Sequence, residues 1–264
     1  MSPPPSVSLV VSTFNQPLAL TKALEGFRQQ TRPPLEILIS DDGSGQPTRD
    51  LVQKFSENSP IPVKHIWHPH EGFRKTTILN KTVLAARGDY LVFTDGDCVP
   101  HPKFIADHAA LAERGFWVQG RRCFVCEEFV PQFEADLIPA WGWMLTGKIT
   151  GAVKGIRWWI PVIRRDTRQR GIIGCNIAFW RDDILAVNGF DEDYAGWGTG
   201  EDSDIGTRIY HLGRRRKFVH GRAITFHLNH PKLPRDHHEA SLARLAQTIA
   251  QHKIACVNGI NRHR

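Results

Sequence analysis

The stretch from Tyr90 to Pro100 constrains the fold most: an apolar run, Tyr90, Leu91, Val92 and Phe93, ends abruptly at Thr94, Asp95, Gly96 and Asp97. A short continuous apolar run bounded by polar turn residues predicts a central parallel strand, and in open α/β sheets ligands bind just beyond the carboxyl ends of such strands. Asp95 and Asp97 stand at that end. The glycine between them lets the backbone approach a ligand closely, and two carboxylates so near each other repel unless a cation neutralises them. Oxygen ligands favour Mg²⁺, Mn²⁺ or Ca²⁺, and a metal with few protein ligands completes its shell with phosphate oxygens. In isolation the motif also fits an Asp-Gly turn with solvated charges, because Asp-x-Asp is common.

With 264 residues and 41% hydrophobic content, the chain can bury a large core in one sizeable domain or two closely joined halves. It contains no apolar run of about 18 residues, and Met1 to Ser6 is rich in proline where a signal peptide would carry basic and apolar segments. A cytosolic protein is expected. Five cysteines, Cys98, Cys123, Cys126, Cys175 and Cys256, form no framework spacing and fit reduced thiols. Cys123 and Cys126 make a lone C-x-x-C without the second pair that a zinc site needs. The net charge of +7 implies an acidic partner: nucleic acid, a phosphorylated substrate or an anionic membrane.

Alternation organises the first 110 or so residues. Val7 to Ser12 is a strand, followed by a turn at Thr13, Phe14, Asn15, Gln16 and Pro17. Leu20, Ala23, Leu24 and Phe27 give the next helix an apolar stripe, which Pro33 and Pro34 stop. Glu36 to Ser40 is a second strand, ending in the acidic cluster Asp41, Asp42, Gly43 and Ser44. Val63 to Trp67 is a third, and Thr76 to Arg87 a helix closed by Gly88. Strands alternating with helices predict a parallel α/β unit whose loops converge on one sheet edge.

This pattern resembles the nucleotide-sugar-binding half of the GT-A glycosyltransferases, and glycosyltransferase family 2 in particular. Its members open with a strand and a Thr-Tyr/Phe-Asn turn and carry an Asp-Asp-Gly-Ser loop before an Asp-x-Asp motif. Thr13, Phe14 and Asn15, then Asp41, Asp42, Gly43 and Ser44, then Asp95, Gly96 and Asp97 are the matching residues. The resemblance implies that the first two loops hold base and ribose while the third holds metal and diphosphate. The chemistry agrees, since a carboxylate accepts hydrogen bonds from a uracil N–H or ribose hydroxyls. Gly72, Phe73, Arg74 and Lys75 match a region that touches the nucleotide in relatives, and Arg74 is the residue chosen for that contact.

Phe116 to Gly120 is a further strand, after which periodicity weakens. Glu127 to Gly171 is the least legible part and holds Trp141, Trp143, Trp158 and Trp159. Within it Lys154, Arg157, Arg164, Arg165, Arg168 and Arg170 outweigh Asp166, a net +5. No zinc, helix-turn-helix or RNA-recognition signature accompanies these residues, so nucleic acid is not expected as a partner. An anionic membrane surface or phosphorylated glycolipid fits the run, at roughly 1 kcal/mol per basic side chain near an anionic leaflet, and so does a solvated acceptor loop.

Ile172 to Trp180 is expected as a strand, its Gly174, Cys175 and Asn176 small enough for close approach of a ligand or another backbone. A short helix follows, closed at Asn188 and Gly189. After Gly196, Trp197, Gly198, Thr199 and Gly200, a helix with Ile205, Ile209 and Leu212 on one face places Glu201 and Asp202 in its first turn. There the macrodipole is expected to favour the ionised carboxylate, as simple capping also would. The last helix carries Leu242, Leu245, Ala246 and Ile249 on one face.

Gly174 to Gly213 is similar to the carboxyl-terminal region shared by β-1,4-galactosyltransferases, chondroitin-polymerase-type enzymes and polypeptide N-acetylgalactosaminyltransferases, with its Gly-Phe-Asp-Glu and Trp-Gly-x-Gly-Glu-Asp elements. The resemblance implies that Asp202 is the catalytic base of an inverting enzyme. It also implies that Trp197 lies in a loop closing over the donor and that Glu201 meets acceptor or donor hydroxyls. The retaining polypeptide transferases have Asn at the base position. Ala223 to His227 is a strand ending in a histidine, as in relatives whose third metal ligand is a histidine. His227 is chosen on that ground over His220, His230, His237 and His238.

Together these imply one GT-A domain over residues 1–264, an α/β fold with a mainly parallel central sheet flanked by helices. Residues 1–110 form the nucleotide-sugar-binding half; 111–264 form the acceptor-binding and catalytic half, with an irregular segment at about 127–171. The implied activity is inverting sugar transfer from a nucleotide-diphosphate donor, a uridine one by preference, to a saccharide or glycolipid acceptor. Its setting is bacterial cell-surface polysaccharide or lipopolysaccharide synthesis, cytoplasmic or peripheral on the cytoplasmic membrane face. The implied cofactor is Mn²⁺ or Mg²⁺, with a histidine ligand favouring Mn²⁺, and the implied metal ligands are Asp95, Asp97 and His227. The rivals are a polyprenyl-phosphate sugar transferase and a non-catalytic nucleotide-binding protein on the same fold.

Overall fold

In the computed structural model the described residues are 3–166, 171–194, 196, 200–231 and 238–264. The apolar runs build the sheet centre: β1 (Val7–Thr13), β2 (Glu36–Asp41) and β4 (Tyr90–Asp95) bury nearly every side chain on both faces. Along β1 the faces alternate, Leu9 and Val11 joining one core and Val10 the other. α1 (Pro17–Arg28) and α2 (Gln46–Asn58) contribute to the first core through Leu20, Leu24, Phe27 and Val52. β3 (Val63–Trp67) adds a strand beside β2, and α3 (Lys75–Ala85) covers the second core with Leu79 and Val83.

Beyond β4 the chain enters β5 (Cys98–Pro100), α4 (Phe104–Leu111), β6 (Phe116–Gln119) and β7 (Arg121–Val125). The segment expected to be irregular holds short 3₁₀ turns, α5 (Trp141–Leu145), β8 (Ile149–Thr150) and β9 (Val162–Asp166). Next are β10 (Asn176–Trp180), α6 (Arg181–Ala186), α7 (Glu201–His211), β11 (Arg215–His220), β12 (Ile224–Leu228) and α8 (His238–Ala250). The large sheet runs β3-β2-β1-β4-β10-β6-β11-β9, and a smaller one runs β5-β12-β7-β8. A third core of Phe133, Ile149, Phe226 and neighbours packs with the smaller sheet.

The mainly parallel sheet is present, with β10 and β9 reversed against their neighbours. The strand expected from Ile172 starts only at Asn176, because Gly174 and Cys175 form a turn that leads into it. α2, α4 and β11 lie where no element was expected. Among the described residues no helix is long and apolar enough to cross a membrane.

Candidate active site

The carboxyl ends of β1, β2 and β4 open into one cleft of about 960 Å³. Its first wall comes from the loops after β1 and β2. Thr13 and Phe14 line it, Phe14 stacking on His70 with ring centroids 4.6 Å apart. Asp42 lines it too, one carboxylate oxygen accepting the Arg74 backbone N–H at 2.8 Å and the other lying 2.7 Å from His68 Nε2. Gly43, at φ 92°, carries the turn; a Cβ there would strike the backbone of His70.

The floor is acidic. Asp95 Oδ1 accepts a hydrogen bond from Lys75 Nζ at 3.1 Å, and Lys75 enters the cleft from the first turn of α3. Burial alone would lower the Lys75 pKa, but Asp95, Asp202 and Glu201 around it hold it well above the ordinary lysine value. Asp97 faces two imidazoles, His230 Nε2 at 3.2 Å and His227 Nε2 at 3.6 Å, and its other oxygen accepts from Cys98 Sγ at 3.3 Å. Burial pushes the Asp97 carboxyl up, but the His230 hydrogen bond and His227 outweigh it and leave it lowered. For His227, burial prevails over the attraction of Asp97, and its pKa falls.

These residues fit a divalent cation. Donor atoms of Asp97, Cys98 and His227 lie within 4.8 Å of one another, and His227 Nδ1 is buried without a partner. The His227 to Asp97 separation exceeds a hydrogen bond, and this carboxylate and imidazole suit Mn²⁺, while burial pushes the Cys98 thiol pKa up and disfavours its thiolate as a ligand. Asp95, the third expected ligand, is not part of that cluster; its carboxylate is tied to Lys75 instead.

The far wall is the start of α7. Asp202 Oδ2 accepts the Gly174 backbone N–H at 2.8 Å, and a Cβ on Gly174 would overlap the carboxylate. Close approach was foreseen at Gly174; the partner is a side chain. Burial, then the charge of Glu201, raises the Asp202 pKa to about 7 against the opposing pull of Lys75. This corrects the expectation that the helix terminus keeps Asp202 strongly ionised: desolvation and a like charge next door exceed the macrodipole. Glu201 lines the same wall, buried.

Thr13, Phe14, Asp42, Asp95, Asp97, Glu201, Asp202 and His227 are thus brought to one cleft. Asp41 is not: it is fully buried, its oxygens taken by His65 Nε2 at 2.9 Å and the Ser44 N–H at 2.8 Å. Asn15, at φ 49°, accepts from the Gly45 N–H and so ties the first two loops together. The Arg74 side chain folds back on its own loop, to the Pro69 carbonyl and Glu71. Trp197 lies outside the described residues, as do Arg168, Arg170 and His237. Sequence reasoning named Lys75 and His230 but chose Arg74 beside the first and His227 three positions before the second, because no spacing rule separated the pairs.

The fold is that of the GT-A glycosyltransferases, an α/β sheet with its site at the strand ends. Over residues 8–179 the sequence matches the family described as glycosyl transferase family 2, and the chain belongs to that family. Residues 159–231 match a second family, the N-terminal domain of galactosyltransferase. The chain is 24% identical to the chondroitin synthase of Escherichia coli over 94% of its own length, covering 38% of that protein. Among solved structures, it is similar to S. aureus TarS 1-349 in complex with UDP-GlcNAc, with a TM-score of 0.67 at 14% identity, covering 97% of this chain and 69% of that one. It also resembles the mannosyltransferase PcManGT from Pyrobaculum calidifontis in complex with GDP-Man and Mn²⁺, with a TM-score of 0.60 at 19% identity, covering 95% of this chain and 64% of that one.

Proposed function

We propose that the chain is an inverting, metal-dependent transferase that moves a sugar from a nucleoside diphosphate donor, preferentially a uridine one, to a hydroxyl of a saccharide or glycolipid acceptor. Residues 1–110 would serve the donor and 111–264 the acceptor and the chemistry. The observation carrying this reading is the convergence of Phe14, Asp42, Asp95, Asp97 and Asp202 on one cleft. Relatives and neighbours support it, since one is named a chondroitin synthase and others are in complex with UDP-GlcNAc or GDP-Man.

In this reading Phe14 and His70 offer a flat surface for the base, and Asp42 accepts from base or ribose. Asp95, Asp97 and His227 would hold Mn²⁺ or Mg²⁺, which when bound neutralises charge on the leaving diphosphate. Asp202 removes the acceptor hydroxyl proton as that oxygen bonds to the anomeric carbon. The bond to the diphosphate oxygen breaks with its electron pair going to the diphosphate, and the anomeric centre inverts. A base with a pKa of about 7 is matched to this task at neutral pH. Calorimetry of UDP binding tests the donor site: affinity depends on Mn²⁺, and Asp97→Asn or His227→Ala weakens it at least about tenfold. Unchanged affinity in excess chelator would sink the metal assignment.

We also infer that the protein works at the cytoplasmic membrane face, with an anionic surface as partner of the segment around Lys154 to Arg170. Support comes from Trp159 and Ile160, 91% and 75% exposed, followed on the edge strand β9 by exposed Val162, Ile163, Arg164 and Arg165. Charge contributes less than the sequence implied. Arg157 pairs with Asp107 at 2.8 Å and Arg165 with Glu113 at 3.4 Å. Trp159→Ser with Ile160→Ser is therefore expected to reduce sedimentation with phosphatidylglycerol vesicles more than neutralising Arg164 and Arg165; wild-type protein that ignores such vesicles contradicts the membrane reading.

A further inference from the structure

Among the cationic side chains lining the cleft, Arg122 is held differently. Lys75 has Asp95, and His227 and His230 share Asp97. Among the described residues no carboxylate forms an ion pair with Arg122. Its one hydrogen bond, from a guanidinium NH, goes to Cys175 Sγ at 3.2 Å, a weak acceptor, and its Nε is buried without a partner. Asp95 attracts the guanidinium from a distance, but among the described residues no oxygen acceptor takes its N–H groups, and such donors favour an incoming anion.

Its position says what that anion belongs to. Arg122 and Phe124 alternate along β7 so that both face the cleft, the guanidinium 4.9 Å over the Phe124 ring. Phe124 in turn meets His227 edge-on at 5.3 Å. On the other side, Cys175 follows Gly174, on which Asp202 rests. Arg122 therefore stands between the candidate metal site and the candidate base, in the cleft that Phe14 and Asp42 also line.

We propose that Arg122 anchors an anionic group of a substrate, a phosphate or carboxylate gripped by the guanidinium fork. The proposal rests on the reading of the cleft as a nucleoside diphosphate sugar site. Two sources offer this chemistry: the terminal phosphate of the donor's diphosphate, or a carboxylate on the acceptor sugar. A planar fork fits either bidentately, which lysine cannot reproduce.

Calorimetry with Mn²⁺ present on wild type, Arg122→Gln and Arg122→Lys separates them, using UDP, GDP, UMP, GMP, methyl β-glucuronide and methyl β-glucoside as probes. If the donor is the source, Arg122→Gln weakens the diphosphate at least about tenfold and leaves the monophosphate near wild type. If the acceptor is the source, nucleotide affinities stay within about twofold while glucuronide binding to the UDP-loaded protein is lost and the glucoside is unaffected. Arg122→Lys keeps the charge without the fork and is expected to lose several-fold in the same arm; it also carries the test should Arg122→Gln fail to fold. All affinities within about twofold of wild type in the folded variants would overturn the assignment. Wild-type protein that binds neither UDP nor GDP would instead remove the nucleotide reading, and Arg122's role with it.

Discussion

Asp202 and Gly174 form a pair in which each residue explains the other. The carboxylate occupies the space where any other residue at position 174 would place its Cβ. Gly174→Ala is expected to displace the base, so that turnover falls about 10²-fold or more while Mn²⁺-dependent UDP affinity stays near wild type. Asp202→Asn keeps the shape and the Gly174 hydrogen bond but removes the basicity, and turnover is expected to fall about 10²- to 10⁴-fold. The raised pKa sets the pH dependence. In the proposed reaction Asp202 acts in its ionised form, so kcat/KM is expected to rise with pH through about 7 and level off above it. Stability runs the other way: the fold favours the protonated carboxyl, a contribution complete below the ordinary carboxylate range and lost as pH rises through about 7. Thermal denaturation of the metal-free protein checks this, Asp202→Asn gaining Tm over wild type at pH 8 and little at pH 4.

The elements show how far the sequence was legible and where it stopped. β1, β2 and β4 were readable because strands buried on both faces must be apolar throughout, and α1 because its stripe repeats at helical spacing. β10 was recognisable as an apolar run, but its direction was not, since burial on both faces looks alike in parallel and antiparallel strands. α2 escaped because Leu51, Val52 and Phe55 are its only large apolar residues, and the polar Thr48 is buried with them. At the site the limit was a single residue of rotation. Asp41 and Asp42 are adjacent, yet one points to His65 and the other to the cleft. Arg74 and Lys75 are adjacent, yet only Lys75 reaches Asp95. Asn80 on α3 shows how these elements are locked: it is fully buried, accepts from the Phe190 N–H and donates to the Phe190 carbonyl and Glu192. Asn80→Ala would leave those groups unsatisfied and is expected to cost about 2–4 kcal/mol in urea denaturation.

At the scale of the molecule, two sheets divide the work of one cleft. The large sheet presents Phe14, Asp42 and Asp95 at or just past its strand ends, and the small one presents Arg122, Phe124 and His227 to the same cleft. The carboxylates of the acidic floor repel one another less when a cation is bound, so Mn²⁺ with UDP is expected to raise the Tm of wild-type protein by several degrees and that of Asp97→Asn by less. The central claim, metal-dependent transfer with inversion, is tested most directly by proton NMR of an α-linked UDP-sugar with Mn²⁺ and no acceptor, water taking the acceptor's place. Before mutarotation intervenes, the free sugar should appear as the β anomer, and chelator should abolish its release. First appearance of the α anomer, or release that persists in excess chelator, would contradict it.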